Sequence, residues 1–344
     1  MSDMRNNFII LIVLSVFLGG CIFLPPEGTP ANGHLTSWEP EGWKEAPEDD
    51  HCMLSTMLFV NKKLGLAGGH ALPFDVHSFE VLKTDSACIW RTDDGGYHWR
   101  LIRVKGEDVE KLIEKDGVVY AVILQTYEPR TYGIWESHDL GLTWKLKTEL
   151  ESPYGVRDLY FRDTLHGFMR AGGYYLTTDG GKTWQEERWL NRISVREITD
   201  SLVYGVLDLN PKFAGCWNYV TRREVFRTEM PYGSFRGRFS NGFLALVHDK
   251  RLKVYRLGAD NRYHLLKGCN YKADWVNYIR HEDGHIYLVY NLNFDDKLLY
   301  SGDGGKTWQR RRTWSSIINY CTYYESDTLH LWYSRHTDMG HFKN

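Results

Sequence analysis

An octapeptide of the form Ser/Thr-x-Asp-x-Gly-x-Thr-Trp returns four times in this chain. A repeated unit constrains a fold strongly, because every copy must find an equivalent structural place. Residues 137–144, 177–184 and 301–308 match in full, and residues 92–99 differ only in carrying His98 at the late Thr. The fixed members are Asp94, Gly96 and Trp99; Asp139, Gly141 and Trp144; Asp179, Gly181 and Trp184; and Asp303, Gly305 and Trp308. Asp94 to Asp139 is 45 residues and Asp139 to Asp179 is 40. Asp179 to Asp303 is 124, about three such periods, so two intervening units have lost the motif. One degenerate copy falls at Asp260 and the other belongs near Thr221. A second string, Asp163-Thr-Leu-His166, returns as Asp327-Thr-Leu-His330 at four times the same period.

This octapeptide is identified as the Asp-box, or BNR repeat, of sialidases and many other β-propellers. The resemblance implies a structural role. Gly permits positive φ in a tight turn, Asp accepts backbone N–H groups as in an Asx-turn, and Trp tucks into the neighbouring strand. A calcium loop would need more oxygen ligands at alternating positions. The period then counts seven units of about 40 residues, each read as four short strands. In the third unit these are residues 156–161, 167–171, 174–178 and 183–187. The expected fold is all-β: a seven-bladed β-propeller of four-stranded antiparallel blades over residues 43–344, with six blades as the alternative count. The final unit starts near Ser316 and lacks its outer strand. Gly42-Trp43-Lys44 resembles the start of one, so the N-terminal segment is expected to close the ring.

The N-terminus reads as an address. Arg5 precedes an apolar run over residues 8–18, too short to span a bilayer and of signal-peptide length. Leu18-Gly19-Gly20-Cys21 resembles the lipobox of bacterial lipoproteins, which implies a signal peptide over 1–20, lipidation at Cys21 and a membrane anchor. Ile22 rather than Asp after that Cys favours the outer membrane within the bacterial envelope. Residues 21–42, with Pro-Pro, Gly-Thr-Pro and Asn-Gly, read as a tether. Of the other five cysteines, Cys52 and Cys88 are a possible disulfide at the upper end of the first blade, and Cys216 with Cys269 is a second candidate. An odd number leaves at least one thiol free.

Composition removes other classes. Lys+Arg total 42 against 44 Asp+Glu, so the chain is not a globally basic nucleic-acid binder. Aromatic residues make up 15%, in keeping with β architecture. No phosphate loop, nucleophile elbow or HExxH is present. No cofactor is expected and no catalytic residue is assigned. His70 and His77 with Asp75 match no firm metal spacing, and no metal site is expected.

In propellers the Asp-box turn lies on the lower face, so insertions on the upper face are the candidate binding elements. They are residues 69–87 with His70 and His77, residues 125–132 with Tyr127 and Arg130, residues 208–215, residues 291–297 with Phe294, and the crossing 231–238 with Tyr232, Phe235 and Arg236. Arg157 and Arg196 occupy matching places 39 residues apart, and Arg236 a similar one. Either the three converge on the central mouth, as the Arg clamp of sialidases does, or each pairs with an adjacent acid such as Asp158 or Glu197. The chain lacks the sialidase Arg-Ile-Pro motif and an identifiable Tyr–Glu pair. Its units look most like the non-catalytic propellers typified by photosystem II stability/assembly factors, which bind other proteins. The function expected is therefore a non-enzymatic, lipid-anchored scaffold or inhibitor that binds a protein partner through its upper face. The alternative is a glycan-binding or sialidase-like hydrolase propeller.

Overall fold

Short strands of alternating burial, punctuated by Gly, Asn and Asp turns, cannot hide their apolar faces alone; they must stack sheet on sheet. The computed structural model describes residues 36–38, 50–73, 86–96, 98–207, 212–230, 237–311, 319–325, 328–334 and 339–343. Side chains are described over 54–70, 87–96, 98–207, 212–230, 237–310 and 321–322. The strands form seven four-stranded antiparallel sheets, and no α-helix occurs among the described residues. The all-β expectation holds.

Six sheets are simple meanders of consecutive strands. The first takes Asp50–Phe59, Gly65–Pro73, Ser86–Thr92 and Arg100–Lys105. In the third, Asp158–Phe161, Gly167–Arg170, Tyr174–Thr177 and Gln185–Glu186 fall inside the four segments the sequence marks out. The seventh differs: Asn319–Glu325, Thr328–Ser334 and Met339–Lys343 are completed by Thr36–Trp38 from far upstream. Thr36 pairs with His341 and Trp38 with Met339. The added strand therefore lies ahead of Gly42-Trp43-Lys44, within the segment read as tether. All seven sheets belong to one compact unit, Leu35–Asn344.

The core is divided into layers between consecutive sheets. Leu66, Ile89 and Val104 of the first sheet pack with Val109, Ala121 and Ile123 of the second. Phe168 of the third meets Ile193, Val203 and Trp217 of the fourth, and Phe243 and Val254 of the fifth meet Ile286 and Leu288 of the sixth. First strands touch between the first and second, second and third, fourth and fifth, fifth and sixth, and sixth and seventh sheets, and the first strand of the seventh sheet returns to that of the first. There the Phe59 N–H donates to Cys321 Sγ at 3.1 Å. No helix among the described residues is long and apolar enough to cross a membrane.

The expected disulfides are not formed. Cys52 is level with Ala71, and Cys88 pairs across with Gly69, so a whole strand separates the two cysteines. Two strand spacings are about 9.5 Å, beyond the roughly 7 Å Cα separation a disulfide spans. Cys88, Cys216, Cys269 and Cys321 form no disulfide. Burial pushes the Cys216 thiol up to about 11 and Cys269 up to about 12, so both stay protonated at neutral pH.

His281 gives the fold an acid-sensitive point. Its ring packs on Phe243 at 4.4 Å between centroids, and its Nε2 accepts the Gly284 N–H at 3.2 Å. Burial lowers its pKa, against the opposing pull of Glu282. A depressed histidine pKa means the neutral ring is favoured in the folded state. Its contribution is complete above the ordinary value near 6.5 and is lost as pH falls toward the folded value. His70 has the opposite sign: hydrogen bonding to Asp108 raises its pKa, so it stabilises increasingly on acidification. We expect urea midpoints at pH 7.5 and 5.5 to differ less for His281→Gln than for the wild type. An equal difference in the two proteins would refute the assignment.

Candidate functional site

The two ends of the sheets are built differently. The lower end carries the turn from first to second strand and the Asp-boxes, which join third to fourth strands. In the second sheet Ser137 Oγ donates to Asp139 at 2.7 Å and accepts the Gly141 N–H at 2.7 Å. Asp139 also accepts the Thr143 N–H at 2.8 Å and the Thr143 hydroxyl at 2.6 Å. These bonds, the Thr143 hydroxyl foremost, hold the Asp139 carboxyl down at about 2. Trp144 Nε1 donates to the Gly141 carbonyl at 3.1 Å, and Gly141 sits at φ 93 against Leu66 of the first sheet. The boxes at Asp179 and Asp303 repeat the Ser/Thr–Asp–Thr bonds, and the Asp303 box repeats the indole bond too, whereas Trp184 Nε1 in the Asp179 box is buried without a hydrogen-bond acceptor. At Asp94 the imidazole of His98 replaces the Thr hydroxyl, 2.6 Å from the carboxylate, and Trp99 Nε1 donates to Gly96. Each Asp is committed to closing its own turn, which is the structural role the resemblance implies.

The two degenerate copies lie where the period places them. Asp260 accepts the Arg262 N–H and bonds His264 at 2.9 Å. In the fourth sheet Asn218 Oδ1 accepts the N–H groups of Val220 and Thr221.

The upper end carries the second-to-third hairpins and the crossings between sheets. Tyr127 stands 58% exposed on its hairpin and Phe294 84% exposed on another. Arg130 pairs with Glu110 at 3.2 Å and lies over the Tyr132 ring at 5.5 Å. His70 lies 3.4 Å from Asp108, which also accepts Ser55 Oγ. Cys21, His77, Tyr232, Phe235 and Arg236 lie outside the described residues, as does Asp75. Among the described residues no group of three or more His, Cys, Asp or Glu is placed to hold a metal.

The Arg expectation needs correction. Arg157 does not pair with Asp158: that carboxylate is held by Arg170 at 2.6 Å and by Lys111 of the preceding sheet at 3.4 Å. Glu197 does not take Arg196 either; it accepts the Asn241 N–H at 2.8 Å from the next sheet. Acids at these positions bond across or between sheets, because the pleat turns sequence neighbours to opposite faces. Arg196 sits where the fourth sheet's pairing skips a residue.

Arg157 instead borders a cavity of about 540 Å³ with Tyr154, Arg170, Tyr174 and Asn191. Tyr174 is fixed there by donating to the Ile193 carbonyl at 2.7 Å and accepting the Val195 N–H. Sequence reasoning did not single out Tyr154, Tyr174 or Trp275. Trp275 opens the first strand of the sixth sheet and is 40% exposed.

No protein-family model matches the chain, and no curated protein matches its sequence. Solved structures do resemble it. YCF48 from Cyanidioschyzon merolae superposes with a TM-score of 0.57 at 14% identity, covering 91% of this chain and 98% of that one. The β-propeller domain of Cps50 (Swd1) from Myceliophteria thermophila gives 0.55 at 9% identity, over 90% and 99% of the two chains. BamB from Moraxella catarrhalis gives 0.51 at 9% identity, over 85% of each. The fold is a β-propeller fold.

Proposed function

We propose that the seven sheets are the blades of a closed Asp-box propeller, completed by Thr36–Trp38, and that its upper face binds a protein partner without catalysis. We further propose that lipid on Cys21 holds it in the bacterial envelope, in the outer membrane.

The observation that carries the binding reading is how side chains divide between the two faces. Four aromatic side chains are substantially exposed among the described residues: Tyr127, Tyr154, Trp275 and Phe294. All four sit at the upper end. The exposed large side chains in lower-face turns are aliphatic: Leu142, Leu165 and Val220. Exposed aromatics are the usual anchors of protein contacts, since they bury much area at little entropic cost. Protein-binding scaffolds are common on this fold, but fold alone assigns no partner. A glycan-binding reading has one observation of its own, the Tyr154–Tyr174 cavity with Arg157 and Asn191.

The test is purification of the full chain from detergent-solubilised membranes. The wild type is expected to bring down one protein in stoichiometric amount. Tyr127→Ser, Tyr154→Ser, Trp275→Ser and Phe294→Ser combined should lose it, whereas Leu142→Ser with Leu165→Ser should keep it. Retention by the upper-face quadruple variant would overturn the reading. Glycan-array binding that requires Arg157 and Tyr154, with no protein partner, would establish the alternative.

A further inference from the structure

Two-residue hairpins with both central residues at positive φ strongly prefer Gly at the second position. Three lower-face hairpins obey: Asp116-Gly117, Asn241-Gly242 and Asp283-Gly284, with the glycines at φ 80, 80 and 82. Two upper-face hairpins of the same length do not. Asp249-Lys250 places Lys250 at φ 55, and Asn293-Phe294 places Phe294 at φ 65. A bulky side chain in the left-handed region is a marked outlier, and such strain persists only where the surroundings enforce it.

The surroundings of Phe294 do enforce it. The Asn293 N–H donates to Asp274 Oδ2 at 2.8 Å, and the Phe294 N–H to Asn291 Oδ1 at 3.1 Å. Asn291 in turn donates to buried Asp296 at 3.1 Å, and Asn277 donates to the same carboxylate oxygen at 2.6 Å. A polar scaffold thus locks the hairpin while the ring at its tip stays 84% exposed. Trp275, next to Asp274, extends the apolar surface.

We infer that Phe294 is a preorganised knob that inserts into an apolar pocket of a folded protein partner. This deepens the upper-face reading and rests on it. The rim decides the class of partner. Asp295, paired with Lys297 at 3.2 Å, adjoins Phe294; Asp274 holds the Asn293 N–H; and Lys272 and Lys250 stand exposed where the Ala273 N–H bonds the Lys250 carbonyl, so charges of both signs are present. Such a rim gives no net attraction to an anionic bilayer, which recruits basic clusters. It suits a protein surface of complementary charge around a dry contact.

The test replaces Phe294 with photoreactive p-benzoyl-phenylalanine in the full chain, made in its producing cells, with Tyr154 and Leu165 labelled likewise. One protein adduct is expected at position 294 and none at position 165. That protein, purified, should bind the wild type at least about 30-fold more tightly than Phe294→Gly, the mark of a hot spot, and Phe294→Leu within about fivefold. Phe294→Gly should also melt no lower than the wild type, because it relieves the strained turn. Equal affinity for Phe294→Gly would overturn the inference. So would an adduct with a second copy of this chain, or Phe294-dependent binding to phosphatidylethanolamine–phosphatidylglycerol vesicles. An adduct at 154 but not at 294 would sink the knob and leave the upper-face reading intact. Adducts at 165 alone, or at none of the three positions, would sink both.

Discussion

Replacing Gly268 with alanine is expected to destabilise the protein by about 3 kcal/mol, at the upper end for overpacking. A Cβ there would lie 2.3 Å from the Lys306 carbonyl oxygen and 3.3 Å from Trp308 Cδ1. The obstacle is backbone, and that backbone belongs to the Asp303 box. Lys306 cannot retreat without disturbing the Thr307 N–H bond to Asp303 and the Trp308 bond to the Gly305 carbonyl. The joint between the fifth and sixth sheets would have to open. Gly304→Ala is the control. Gly304 lies at φ 69 with nothing near its missing Cβ, so alanine there meets conformational cost alone, about 1 kcal/mol. Urea unfolding of the two variants beside the wild type separates crowding from strain. A Gly268→Ala loss no greater than that of Gly304→Ala would show that the sheets do not meet as closely as described.

Asp296→Ala should be about as damaging, again about 3 kcal/mol, for a different reason. The carboxylate is 4% exposed and accepts from both Asn277 and Asn291. Truncation leaves two amide donors without their charged acceptor, and bonds to a charged group are the stronger kind. Asp296→Asn keeps the shape and should cost less. The consequence reaches the hairpin tip, because Asn291 is also the acceptor for the Phe294 N–H. Amide exchange at Phe294 should therefore quicken in Asp296→Ala well beyond what the global loss of stability accounts for. Unchanged relative protection would show that the tip holds its conformation without the scaffold.

Much of the fold was legible because the Asp-box is a local device. Its Asp, Gly and Trp bond within eight residues, so the motif and its spacing carry almost the whole structural message. Even the decayed copies kept their places, since Asn218 and Asp260 still accept turn amides. The candidate site was legible in part. Phe294 and Tyr127 stood out as aromatics in turn-like sequence. The strain at Phe294 was not read from the sequence, because the comparison with Asp-Gly and Asn-Gly at three other hairpins needs the strand register. Trp275 and Tyr154 were not readable as surface residues, because only strand register shows that each lies at an exposed end. The partners of Asp158 and Glu197 come from the paired strand and from neighbouring sheets, and adjacency in sequence misled there. The proposed Cys52–Cys88 bridge failed for the same reason, one intervening strand.

The seventh sheet fixes something besides shape. Open repeat arrays gain and lose units at their ends, where a new repeat meets only one neighbour. Here the strands Thr36–Trp38 and Met339–Lys343 pair with each other, Thr36 opposite His341, so neither offers that edge to a further repeat. A unit could be added or removed only internally, with every junction readjusted to the new angle. Motif decay at Asn218 and Asp260 without loss of the units themselves is what such a lock predicts: individual turns can drift in sequence while the tally of repeats is held constant.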